Sequence, residues 1–100
     1  MIKTEETKYE VYTTKKFRQQ FKIILKQDKD VNKLIFVVKK LANKEVLDSK
    51  YKDYNLVNNK YFNNCRECHI EPDWLLVYKY IEDKLILYLL QTGSHSDLFN

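Results

Sequence analysis

Glycine and proline are nearly missing from this sequence: Gly93 and Pro72 are the only examples of each. Long flexible linkers and low-complexity segments are thereby excluded, and no internal repeat is visible. Long apolar runs are missing too. The longest lie within 74–78 and 85–90, well short of the roughly 18 residues that cross a bilayer, so no membrane partner is expected. The opening stretch MIKTEETKYE is polar and lacks the apolar centre of a signal peptide. A cytoplasmic, reducing setting is therefore expected. There Cys65 and Cys68, the only cysteines, form no structural disulfide.

With His69 those cysteines spell C-x-x-C-H, the spacing of covalent haem attachment. Met1 is the only methionine, so a methionine axial ligand is lacking. The segment also alternates as a strand instead of opening a helix, and haem is not expected. Zinc lacks a second pair of ligands, and a thioredoxin-like redox pair needs a helix after the motif. Neither a metal nor a cofactor is expected.

What is present is a normal globular balance. One hundred residues, 44% hydrophobic and 32% charged, make one domain, since two would leave neither a sufficient core. The net charge of +4 is unevenly spread. Residues 1–62 hold fourteen lysines and one arginine against eight acids; residues 63–100 hold three basic residues against six acids. An anionic partner for the first part fits this count, and so does a solvated lysine surface.

The periodicity changes along the chain. Residues 8–13, KYEVYT, read as a short strand. Thr13 or Thr14 then caps a helix in which Phe17, Phe21, Ile24 and Leu25 form one apolar stripe. Lys15, Lys22, Lys26 and Lys29 share an arc opposite that stripe and predict a basic helical face. Asp28 or Asp30 caps a second helix over about 31–42, with Val31, Leu34, Val38 and Leu41 inward, and the short connection predicts an antiparallel pair. Residues 43–63 have no period and read as a long loop. Residues 65–71 alternate, placing Cys65, Glu67, His69 and Glu71 on one face and Arg66, Cys68 and Ile70 on the other. Pro72-Asp73 marks a turn or bulge. Trp74–Ile81 and Leu85–Leu90 are two buried strands joined at Glu82-Asp83-Lys84. Thr92-Gly93-Ser94 ends the last strand and leads His95 into a short tail. The fold class is α+β, in the order β-α-α-β-β-β, with two helices on a mostly antiparallel sheet.

Two segments, RECHIEPDWLLVYK at 66–79 and TGSHSDLF at 92–99, closely resemble the YafQ branch of the RelE toxin superfamily. LDSKYKDYNL at 47–56 is a weaker match to the loop before the family's second strand. The stretch from Leu56 to Arg66 is about two residues longer than usual and lacks the usual glycine. Many members have a histidine where this chain has Tyr54-Asn55. The resemblance implies a ribosome-dependent mRNA endonuclease that uses the 2′-hydroxyl as nucleophile, needs no metal, and is held inactive by a DinJ- or RelB-like antitoxin. Promoter DNA would be met only through that antitoxin. Tyr54 in place of a histidine leaves a second reading: a non-catalytic RNA- or ribosome-binding module of the same fold.

Such cleavage needs a base for the 2′-OH proton, an acid for the departing 5′-oxygen, and positive charge on the phosphorane. His95 is the first candidate, since imidazole exchanges protons near neutral pH. His69 and Asp73 match residues that family members use in RNA cleavage. Glu67 matches a position that is Asp or Glu in relatives, where it serves the acid–base set or pairs with a lysine. Arg66 can hold a phosphate bidentately, although the alternation puts it opposite His69. Tyr54 can donate a hydrogen bond or stack on a base, and Phe99 can stack on a base or plug the core. The four lysines of the basic arc would meet ribosomal RNA phosphates.

Overall fold

One threonine ties the first strand, the first helix and the last strand together. In this computed structural model, which describes residues 7–56 and 64–99, Thr14 sits in extended backbone between strand β1 (Glu10–Thr13) and helix α1 (Lys15–Lys26). Its hydroxyl accepts from the Phe17 N–H at 3.0 Å, capping α1,. The same hydroxyl donates to the Leu90 carbonyl at 2.6 Å, and the Thr14 N–H donates to that of Leu89 at 3.1 Å. Helix α2 (Val31–Ala42) begins at Asp30, whose carboxylate accepts from the Asn32 N–H at 3.0 Å.

Strands β2 (Tyr54–Asn55), β3 (Arg66–Glu71), β4 (Trp74–Ile81) and β5 (Ile86–Gly93) join β1 in one sheet of order β1-β5-β4-β3-β2. β1 runs parallel to β5 and the other pairings are antiparallel. Helix α3 (His95–Phe99) follows β5. The α+β class and mostly antiparallel sheet agree with the sequence pattern.

Alternation along β4 divides the core. Trp74, Leu76 and Tyr78 face the two long helices and pack with Phe17, Leu34 and Leu41. Leu75 and Val77 face the other way and pack with Cys65 and Leu98. We call this second side the open face. The two cysteines thus lie on opposite faces, since Cys68 belongs to the helix-side core. Burial drives its thiol pKa far up,. Each large side chain sealed in these clusters contributes about 1.5–3 kcal/mol by leaving water.

Four details depart from the sequence pattern. Leu25 is exposed, and the buried arc of α1 is Phe17, Gln20 and Ile24. Gln20 can be buried because its amide is satisfied: Nε2 donates to Gln91 Oε1 at 3.0 Å and Oε1 accepts from the Thr92 N–H at 2.9 Å,. Val31 is only partly buried, and Val37 and Ala42 fill the core instead. The described part of the expected loop contains a turn of 3-10 helix at Ser49–Tyr51 and the two-residue β2; residues 57–63 of that loop lie outside the described residues. The expected tail at His95 is a helix. Among the described residues no helix is long and apolar enough to cross a membrane.

Candidate active site

The β3–β4 hairpin carries half of the site. Its register runs His69↔Leu75 and then Glu71↔Trp74, leaving Ile70 as the extra residue of a bulge,. Before the bulge, Glu67 and His69 point to the open face. After it the alternation is broken, and Glu71 does not join them as the pattern implied. Its carboxylate instead pairs with Lys33 Nζ of α2 at 2.8 Å, which lowers its pKa. Pro72 and Asp73 form the hairpin turn.

TGSHSDLF carries the other half, and most of its residues have a local task. Thr92 anchors the end of β5: its hydroxyl accepts from Trp74 Nε1 at 2.9 Å and donates to the Leu75 carbonyl at 2.7 Å. Gly93 takes φ +153°, and a Cβ there would meet Asp97 Oδ2 at 2.9 Å. Ser94 and Asp97 cap α3 reciprocally, the Ser94 N–H donating to Asp97 Oδ2 at 3.0 Å and the Asp97 N–H to Ser94 Oγ at 3.2 Å,. Leu98 plugs the open-face cluster. His95 is thereby held at the first position of α3, over the β3–β4 turn.

Asp73 fixes the His95 ring. Its Oδ1 accepts from the His95 backbone N–H at 3.1 Å and lies 2.8 Å from Nδ1. These hydrogen bonds, the ring's first, hold the Asp73 carboxyl below its ordinary pKa, so it is an ionised acceptor at neutral pH. An ionised Asp73 favours the His95 tautomer with the proton on Nδ1, which leaves Nε2 for exchange. The His69 ring lies edge-on to that of His95, centroids 5.7 Å apart. Its Nδ1 faces the Pro72 carbonyl at 3.3 Å and its Nε2 faces Glu67 Oε1 at 3.5 Å. Glu67 is buried, and Tyr54 donates to it across β2–β3 at 2.5 Å. That hydrogen bond first, then burial, pushes the Tyr54 hydroxyl pKa up to about 12, so it is a donor and not a base at neutral pH. Phe99 stands 6.4 Å from the His95 ring. One continuous cluster thus runs from Tyr54 through Glu67, His69 and His95 to Asp73.

A family model described as the bacterial toxin of type II toxin-antitoxin system, YafQ, matches residues 9–100. The chain belongs to the YafQ family. It is 38% identical over 84 residues to an mRNA interferase toxin YafQ of Escherichia coli, covering 83% of this chain and 87% of that one. A metal-bound toxin from Helicobacter pylori is 41% identical and superposes with TM-score 0.85 over 91% of this chain and 99% of its own. YafQ in the E. coli DinJ–YafQ complex is 32% identical with TM-score 0.80, over 92% and 99% of the two chains.

Not every YafQ-like residue joins the cluster. Arg66 lies on the other side of β3, where its guanidinium meets Asp53 Oδ1 at 3.3 Å and donates to Asn55 Oδ1 at 2.6 Å. The Tyr78 hydroxyl also donates to Asp53, at 2.5 Å. Arg66 therefore clasps the two residues flanking Tyr54. Lys15, Lys22 and Lys26 are exposed on α1, which packs on the opposite side of the sheet from His95. Lys29 does not share their arc, because α1 ends at Lys26. It lies in the link to α2 with Nζ 5.6 Å from the Trp74 ring centroid, and its charge acts on Asp73. Among the described residues no three His, Cys, Asp or Glu side chains gather as a metal site, and the histidine Nδ1 atoms are already committed to Asp73 and Pro72. The Tyr54–Glu67 contact and the Arg66 clasp escape sequence reasoning, since a two-residue strand has no readable period. The S-x-x-D cap at 94–97 was open to it.

Proposed function

We propose that this chain is the toxin of a type II toxin–antitoxin system and an endoribonuclease that cuts mRNA during translation on the ribosome. The observation that carries the reading is the pair of imidazoles on the open face, His69 and His95, each oriented by an oxygen partner. The two rings are in edge-to-face contact, centroids 5.7 Å apart,, so both imidazoles border one patch of the open face and one phosphate on that patch can reach both.

One imidazole takes the 2′-OH proton as that oxygen bonds to phosphorus; the other gives a proton to the 5′-oxygen as its bond to phosphorus breaks. The products are a 2′,3′-cyclic phosphate and a 5′-hydroxyl. Asp73 keeps His95 in one tautomer, and Glu67 with Tyr54 fixes His69. Phe99 offers a ring for a base. DNA lacks the attacking hydroxyl. Lys15, Lys22 and Lys26 on the far side supply sequence-independent phosphate contacts suited to ribosomal RNA.

The mRNA interferase name of the E. coli relative supports the activity, and the DinJ–YafQ complex supports a DinJ-like cognate antitoxin, through which promoter DNA would be reached. The test is expression of the chain alone in a bacterium, with mRNA ends mapped by primer extension beside His95→Ala. Growth arrest and cuts within translated codons are expected, both lost in the variant. A folded wild-type chain that never cuts would leave a non-catalytic binding module.

A further inference from the structure

A groove of about 660 Å³ opens beside the histidine cluster and shares His69 with it. The sheet edge creates it. β2 pairs only with Arg66 and Glu67, so among the described residues no strand borders the edge of β3 away from β4 between Cys68 and Glu71. The bulge also leaves Ile70 outside the register with β4. Phe36 of α2 and Tyr51 of the 3-10 turn line the groove, with Lys50 and Lys52. Phe36 is 49% exposed despite its size. Lys50 Nζ lies 5.2 Å from the Tyr51 ring centroid, and neither Lys50 nor Lys52 makes an ion pair among the described residues.

We infer that this groove is a nucleobase subsite, receiving the nucleotide next to the cleaved phosphate and setting sequence preference around the cut. The inference rests on the nuclease reading above. Its chemistry matches the parts of a nucleotide. The aromatic rings suit a flat base, the unpaired lysines suit a phosphate, and the free strand edge offers donors and acceptors to the base edge. A peptide could use the apolar surface and the edge as well. What favours RNA is continuity: His69 belongs to both the cluster and the groove, whose lining carries Lys33, Lys50 and Lys52 against Asp30 and Glu71.

The test uses the intact chain in two measurements. Binding of an RNA oligonucleotide of about five nucleotides is measured in a His95→Ala background, with and without Phe36→Ala or Lys50→Glu with Lys52→Glu. These residues are on the surface, so folding is retained. Phe36→Ala is expected to weaken binding about fivefold or more. Removing one base from the oligonucleotide should cause the same loss, and the two losses should not add. Cut sites are then mapped in cells for chains that keep His95, where Phe36→Ala should flatten the base preference flanking the cut while cutting continues. Unchanged binding together with unchanged preference overturns the subsite and leaves the nuclease reading intact. A wild type that never cuts, yet binds the oligonucleotide through Phe36, overturns the nuclease reading and upholds the subsite.

Discussion

A single oxygen of Asp73, Oδ1, meets both the backbone N–H of His95, at 3.1 Å, and the ring Nδ1, at 2.8 Å. Asp73→Asn keeps an acceptor and removes the charge that favours a protonated Nδ1. Cleavage is expected to fall about 10²-fold, within the range of a lost acid–base contribution, while His95→Ala falls at least as far. The carboxyl is held below its ordinary value of 3.8. Its stabilising contribution is thus present above that pH and lost as pH falls through the lower folded value. Thermal melts of wild type and Asp73→Asn should differ slightly at pH 5–7 and converge in acid below about pH 4.

Tyr54→Phe removes the donor to a buried carboxylate. A hydrogen bond to a charged group contributes about 1.5–3 kcal/mol, so a lower melting temperature and about tenfold slower cleavage are expected. The pH dependence has the opposite sign from that of Asp73. The hydroxyl is raised from 10.0 to about 12, so its contribution is present below pH 10 and lost as pH rises through about 12. The stability deficit of Tyr54→Phe should be constant up to pH 10 and shrink above it. A deficit unchanged across that window would mean the hydroxyl does not hold Glu67.

Arg66→Lys separates two roles for the guanidinium. A phosphate ligand would lose affinity for RNA, and more so at low salt. A clasp on Asp53 and Asn55 would instead loosen β2 and misplace Tyr54, because an ammonium cannot span both partners as a planar fork does. Expected on purified ribosomes is about a tenfold fall in kcat with KM unchanged. A raised KM with normal kcat would assign Arg66 to substrate.

Gly93→Ala places a methyl group where Asp97 Oδ2 would be 2.9 Å away, at φ +153°. Strain of this kind costs about 1–3 kcal/mol. Relief requires Asp97 to release the Ser94 N–H, which unseats α3 and His95 with it. The melting temperature should drop by several degrees. Crosslinking or NMR should show His95 displaced from Asp73.

Much of this was open to inspection before the fold. The switch from a period near 3.6 to a period of two after Asn64 located the hairpin, and Pro72-Asp73 located its turn. The opposite placement of Arg66 and His69 followed from alternation alone. Local pattern fails at three residues for three different reasons. Glu71 was assigned to the wrong side because a bulge adds one residue to a two-residue period. Gln20 is not part of the apolar stripe, and its burial depends on Gln91 and Thr92, about seventy positions away. Lys29 was put on the helix because the lysine spacing continues past the point where hydrogen bonding stops. Distant pairing overrode local pattern at Gln20, a hairpin bulge did so at Glu71, and a helix terminus did so at Lys29.

The bulge at Ile70 makes β3 a segment whose length matters more than its composition. A conservative exchange at Ile70 leaves the handedness of every neighbour unchanged. Deleting any one residue between His69 and Asp73 would shift the phase of the strand against the turn, exchanging which ionisable groups meet RNA and which meet α2. Variation in this hairpin should therefore come as substitutions and hardly ever as insertions or deletions.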